Sequence, residues 1–393
     1  MRRLATPLYL NLKRNQAILQ QSLKRMLNGA EEAWARHDFQ QSIELLRRAS
    51  RLDPSDLKIL LKLGQRYGLR YQPAEAERYF EQAVRIAPNK AEMMAIAGRL
   101  SAQLSYPQIA ERFFRQALMQ KDVTADTIAR LAELYERLHR AEAASDMVER
   151  ALLMDNACPL ARLIQAKLHR QAGRLAAAEQ VLRPILTAGD REMRVRGWYE
   201  LGALFDLQGR YGEAMTAFME AKALLQRDAP PLLANLQLVI QRLKDVQNNV
   251  SAEMLARWSD TGREKLQPAH RLAYLGGHPR SGTTLLEQVL DSHSDIISAE
   301  ETTIFHSDAY APLRYAMPHG ISRLEGLDTA SVQTLRVARE RYFNAMSLWL
   351  GQSPGQRLLV DKNPNLQPWI IAFIRVFPEA RLIVALRDPR DVV

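Results

Sequence analysis

A single cysteine, Cys158, stands among 393 residues, so no disulfide can close within the chain and no cysteine-based metal site can be built. A reducing compartment is the simpler expectation. Long apolar runs are missing as well. The opening residues MRRLATPLYLNLKRNQ carry positive charge, but Pro7, Asn11 and Lys13 interrupt the apolar part, which falls short of the run a signal peptide needs. No segment approaches the roughly 18 to 20 uninterrupted apolar residues that span a bilayer. A cytoplasmic protein with no membrane span is expected. His278, His293 and His306 stand at spacings that fit no common metal motif, and no metal is expected.

Nor does the composition favour disorder, since 47% of residues are hydrophobic and 25% charged, and the length suits two or three domains. Charge is in positive excess, with a formal net charge of +10. Anionic partners would suit that excess. Many arginines, however, fall at helical spacing between apolar positions, the pattern of a solvated helix face, and no nucleic-acid partner is expected.

What the sequence does have is a repeat. Ala49, Ala83, Ala117 and Ala151 recur every 34 residues, as do Ala76, Ala110, Ala144 and Ala178, and Pro54 and Pro88 share the interval. A 34-residue period with Gly64, Tyr67, Ala76, Phe80, Ala83 and Pro88 in one unit resembles the tetratricopeptide repeat. Trp198, Leu201, Gly202, Ala214, Phe218 and Ala221 repeat the pattern after a two-residue slip. An all-α solenoid of about six units over residues 23–226 is expected, after an N-terminal helical lead-in over 1–22. Its groove typically receives a protein segment or peptide. The alanines and aromatics are expected to pack the scaffold rather than to report the ligand. Leu233, Leu236, Ile240 and Leu243 share a helical face, and residues 227–250 are expected to form a capping helix over the last repeat. The more polar residues 251–268 read as a linker, and the domain boundary is placed near residue 250 to 268.

Beyond the linker, residues 269–393 read as an α/β domain built on a parallel sheet. The apolar run Leu272–Leu275 breaks at Gly276 and Gly277, passes a loop with Gly282, and returns to a helical pattern at Leu285. A strand, a glycine loop and a helix N-terminus form a phosphate-binding layout, because free backbone N–H groups and the helix dipole converge on an anion. Gly277 and Gly282 followed by Thr283 and Thr284 imitate the Walker A loop, but that motif requires lysine where Thr283 stands. An ATPase or kinase reading is weakened accordingly. There remains a backbone cradle with Arg280, Ser281, Thr283 and Thr284 as donors.

The stretch PRSGTTLLEQVLDSHSDIISAEET resembles the phosphosulfate-binding loop of sulfotransferases that use 3′-phosphoadenosine 5′-phosphosulfate. It is especially similar to protein-tyrosine sulfotransferases, in which PRSGTT is followed at this interval by Glu-Glu-Thr. The order of the chain also resembles proteins that carry tetratricopeptide repeats ahead of a sulfotransferase domain. The resemblance implies that Pro279, Arg280, Ser281, Gly282, Thr283 and Thr284 hold the 5′-phosphosulfate and that Glu301 is the base taking the acceptor's proton. A phenolic hydroxyl has a pKa of about 10 and a carboxylate about 4.3, so such a base helps only when positioned and shielded from water. A solvated loop pair is the plain alternative for Glu300 and Glu301, and Glu300 is unassigned.

The run Leu358–Val360 precedes Asp361 and Lys362, where residues at a strand's carboxyl end line the ligand crevice. This segment resembles the Lys-Asp-Pro element of the tyrosine sulfotransferases, with Asn363 in place of aspartate. The resemblance implies that Lys362 offsets charge on the bridging oxygen as the sulfuryl group leaves. Leu382–Leu386 reads as a buried parallel strand. The following RDPRDVV resembles the element whose arginine binds the donor's 3′-phosphate, with Arg387 the first candidate and Arg390 the second. The chain stops at Val393, before the helix whose serine shares that phosphate in the family, and the sequence reads as truncated within this domain.

The resulting expectation is sulfuryl transfer from 3′-phosphoadenosine 5′-phosphosulfate to an acceptor hydroxyl, with protein tyrosine one candidate and carbohydrate or lipid hydroxyls open. Arg280, Glu301 and Lys362 would carry the catalysis, and the repeats would bind a protein partner or substrate. A tetratricopeptide scaffold with an inactive or incomplete transferase-like domain is the alternative.

Overall fold

The computed structural model describes residues 5–266, 270–318 and 320–392. Residues 1–4 of the expected lead-in, residues 267–269 at the end of the expected linker and the start of the C-terminal domain, and Val393 lie outside the described residues. Two compact units are formed, one of Met1–Leu52, Arg70–Gln72 and Leu236–Val393 and the other of Asp53–Leu69 and Pro73–Asn235.

The second unit is helical, with packed pairs running from Leu57–Leu69 and Pro73–Ile86 to Arg191–Leu207 and Tyr211–Leu225. Each pair is closed by volume matching. Phe80 fills the space at Gly64, Phe114 that at Gly98 and Phe218 that at Gly202, in every case a ring sixteen residues after a glycine. Where alanine takes the glycine position, as Ala132 and Ala166 do, the residue sixteen later is the smaller Val148 or Leu182, and all four are buried. The repeating Ala49, Ala83, Ala117 and Ala151 are fully buried, as the crossing of close helices requires.

The first helical pair, Ala5–Ala35 and Phe39–Leu52, belongs to the other unit, and the expected lead-in is continuous with its first helix. The expected linker is a helix, Ala252–Lys265, because Ser251 caps it by accepting from the Met254 N–H at 3.2 Å and Trp258 is buried at its centre. Within helix Ala229–Asn249, Leu233, Leu236, Ile240 and Leu243 are 42% to 56% exposed. No helix among the described residues is long and apolar enough to cross a membrane.

The first unit also contains a parallel sheet of β1 (Leu272–Gly277), β2 (Ile296–Glu300), β3 (Leu358–Lys362) and β4 (Arg381–Ala385), in the order β2-β3-β1-β4. Gly276 and Gly277 continue β1 rather than ending it. Register sets Lys362 beside Leu275 and Glu300, and Gly277 beside Ala385, so the carboxyl ends of the strands form one edge. One face rests on a large core that includes Trp258, Tyr274, Phe305, Tyr342, Phe373 and Phe377. The other has a small one, Ala273, Leu275 and Val360, covered by Leu286 and Leu290 of helix Thr283–Asp291. Leu382 and Val384 of β4 are 46% and 59% exposed, where a buried strand was expected.

The volume matching gives a direct test. In Gly64→Ala the new Cβ would stand 2.3 Å from the buried Phe80 ring, and overpacking should cost about 1–3 kcal/mol against a helix-propensity gain of about 1 kcal/mol. Net destabilisation is expected in urea unfolding, with most of it recovered by adding Phe80→Leu. Additive losses in the double variant would refute the matching.

Candidate active site at the carboxyl ends of the strands

The loop after β1 is shaped by its backbone. Gly277 has φ 153°, and a Cβ there would lie 2.6 Å from the Ala385 carbonyl oxygen and 2.7 Å from Ser281 Oγ. Arg280 and Gly282 have positive φ, and Gly282 precedes the helix Thr283–Asp291 in a left-handed conformation. The strained Arg280 backbone is braced by a Ser281 N–H donation to the His278 carbonyl at 3.1 Å. This turn leaves the helix N-terminus open to the strand ends. The Ser281 hydroxyl is buried with no hydrogen-bond partner, and the exposed Arg280 side chain makes no ion pair among the described residues. A buried hydroxyl and a free guanidinium at a helix N-terminus fit an anionic ligand.

Lys362 completes the loop from the neighbouring strand. Its side chain is fully buried, and Nζ lies 3.3 Å from Thr284 Oγ1, 2.9 Å from Glu300 Oε1, 3.0 Å from Glu301 Oε1 and 3.4 Å from Glu287 Oε2. Burial opposes its charge, but hydrogen bonds to Glu300 and Glu301 and attraction to Glu287 raise it above the ordinary lysine value. A Walker loop carries its lysine within itself, whereas the lysine beside this loop stands on β3. Glu301 is held at φ 49° and donates its N–H to the Lys362 carbonyl at 2.7 Å, so backbone and side chain both tie it to this strand end.

Behind Lys362 lies a buried polar layer. Asp361 accepts from Tyr342 Oη at 2.9 Å, while its Oδ1 has no partner. Burial pushes its carboxyl up to about 7, against the Tyr342 hydrogen bond. Tyr274 donates to the Asn363 carbonyl at 3.0 Å, and Asn363 donates to the Thr302 carbonyl, fixing the segment that carries Glu301.

The structure therefore brings Thr284, Glu301 and Lys362 together. Pro279 and Arg280 lie exposed on the loop, and Ser281 and Thr283 turn inward. Arg387 reaches the loop, donating from Nη1 to the Arg280 carbonyl at 3.5 Å, and pairs with Asp391. Arg390 turns to Asp388 and away from the loop. His293 accepts from the Asp295 N–H, while His306 packs against Trp369 and His37. Burial and repulsion from His37 lower His306 to about 4. Among the described residues no group of three or more His, Cys, Asp or Glu side chains could hold a metal ion. Sequence reasoning missed Glu287, although its spacing of four from Thr283 already put both on one face of a helix. Asp361 was read only as a strand-end residue; nothing local marks its burial.

Residues 273–393 match the model of the sulfotransferase family, and residues 27–91, 130–192 and 195–224 match tetratricopeptide-repeat models. Protein-tyrosine sulfotransferase 1 of Danio rerio is 31% identical over 127 residues, covering 31% of this chain and 34% of that protein. A putative protein-tyrosine sulfotransferase of Caenorhabditis briggsae is 27% identical over 128 residues, 31% of this chain and 41% of its own. Nodulation protein NoeE of Sinorhizobium fredii is 31% identical over 131 residues, 32% of this chain and 30% of its own. The chain spans about a third of the length of these curated relatives. The chain is thus similar to tetratricopeptide repeats over its N-terminal part and to the sulfotransferase family over residues 273–393.

Asp361 makes a pH-dependent contribution to stability. Folded, it holds its proton up to about pH 7, whereas an ordinary aspartate gives it up near 3.8. The stabilisation by the neutral form is therefore complete below about 3.8 and lost as pH rises through 7, at most about 4 kcal/mol. Asp361→Asn should gain stability relative to wild type across that window and level off above it, in denaturant titrations at several pH values. A pH-independent difference would show an ordinary carboxylate.

Proposed function

We propose that this chain transfers a sulfuryl group from 3′-phosphoadenosine 5′-phosphosulfate to an acceptor hydroxyl, with a protein tyrosine as the favoured acceptor and the repeats holding the protein that bears it. The observation that carries the reading is the meeting of Thr284, Lys362 and Glu301 at the mouth of an anion-binding loop. The orphaned Ser281 hydroxyl and the cradle at Gly277 fit the donor's 5′ end. Tyrosine is favoured over other hydroxyls because the named relatives include protein-tyrosine sulfotransferases.

The donor, when bound, supplies an activated sulfuryl group on a leaving phosphate. Arg280 and the amides of residues 281–284 would bind that end, with Arg387 at the 3′-phosphate. Lys362, kept charged by its carboxylates, would offset negative charge developing beside Thr284. Glu301 would accept the hydroxyl proton at its carboxylate, and its two ties to Lys362 restrict where that oxygen points.

Calorimetric titration with 3′-phosphoadenosine 5′-phosphate should show binding that weakens about 10- to 100-fold in Arg280→Ala, the usual cost of a charged hydrogen bond. Glu301→Gln should retain that binding while transfer of labelled sulfuryl to tyrosine-bearing acceptors falls about 10²- to 10⁴-fold. Binding of ATP with magnesium in place of the bisphosphate would overturn the donor assignment, and undiminished transfer would remove Glu301 as base.

A further inference from the structure

Around one buried ammonium, Lys362, stand three carboxylates, Glu287, Glu300 and Glu301. If all were ionised the cluster would carry excess negative charge at the place where an anion is to bind. Two of the three have water to stabilise them, since Glu300 and Glu301 side chains are 59% and 46% exposed. Glu287 does not: its side chain is 7% exposed, on the first turns of the helix whose N-terminus faces the loop.

From this geometry we infer that Glu287 is a positioning residue that takes up a proton when the anionic donor binds, so that the cluster's repulsion is removed and Lys362 is released toward the ligand. The inference rests on the donor reading above. An incoming anion near Thr284 and Lys362 makes every nearby carboxylate harder to ionise, and the one least served by water yields first. The groups around Glu287 act in both senses. Lys362 on β3 is the cation that attracts it, and Asp361 on the same strand and Glu300 on β2 repel it; the Ser298 hydroxyl on β2 hydrogen bonds to it. β1 contributes no carboxylate; on the helix of Glu287 itself Thr283 and Thr284 are neutral, and Asp291, four residues on from Glu287, accepts from the Ser298 N–H at 2.7 Å. Burial already raises the Glu287 carboxyl above the ordinary glutamate value, the Lys362 charge opposing this in part. In atoms the step is simple: one proton leaves buffer and joins a Glu287 carboxylate oxygen, and nothing is oxidised or reduced.

The test is titration of the full chain with 3′-phosphoadenosine 5′-phosphate in buffers of different ionisation enthalpy, which reports protons taken up per ligand. Wild type should take up more than Glu287→Gln, by up to about one proton, while Glu300→Gln keeps most of the wild-type uptake. His278, exposed on the same loop, is present in each protein, and repeating the pair in an Asp361→Asn background removes the coupled carboxylate, so the difference isolates residue 287. Equal uptake in wild type and Glu287→Gln overturns the inference while leaving the donor reading intact; absence of binding to wild type overturns the donor reading and this inference with it. Should the variant bind too weakly to titrate, wild-type affinity for inorganic sulfate decides, because its charge is constant over the range. That affinity should rise several-fold from about pH 9 to about pH 6 in Asp361→Asn as well as in wild type, and a flat profile in Asp361→Asn overturns the inference.

Discussion

A lysine ammonium cannot be withdrawn from water unless carboxylates and hydroxyls replace the lost hydration, and the architecture of the sheet edge follows from meeting that condition at Lys362. The side chain is fully buried, and its partners come from different elements: Thr284 and Glu287 from the helix after β1, Glu300 from the end of β2 and Glu301 from the turn beyond it. Only the register of β3 between β1 and β2 lets these groups converge. A one-residue slip would point the ammonium to the opposite face of the sheet.

The two faces of that sheet have different tasks. Beneath the large core, Asp361, Tyr342, Tyr274 and Asn363 form a polar layer immediately behind the site, held by hydrogen bonds that leave one aspartate oxygen unsatisfied. Such a layer is less stable than an apolar one of the same shape, yet it fixes the direction of the strand end. The other face carries a thin apolar contact with helix Thr283–Asp291, enough to seat the helix whose N-terminus is aimed at the loop. Stability and ligand binding are thus drawn from opposite sides of the same strands.

Much of this was legible in local pattern. The 34-residue period and its small residues follow from helix pairs that must cross closely, and the buried alanines obey it. The glycine loop, the helix after it and the strand before Asp361 were readable because each depends on neighbours in sequence. Where the reading failed, the deciding contact was distant. Residues 251–265 look polar, but Trp258 finds a cover and donates to Asp328 at 2.7 Å, so a helix forms where a linker was expected. Leu233, Leu236, Ile240 and Leu243 make an amphipathic stripe, yet pattern cannot say what covers it.

The sequence by itself determined the repeat, the strand before the glycine loop and the helix after it, because helix period, glycine at positive φ and small residues at crossings are conditions on adjacent backbone. It also marked Arg280, Glu301 and Lys362, each through its motif. The tertiary structure alone decided that Lys362 stands beside Thr284, that Glu287 and Asp361 are buried beside it, and that Arg387 reaches the loop while Arg390 pairs with Asp388. Charge and protonation are set by what surrounds a group in space, and those surroundings come from strands and helices tens of residues apart.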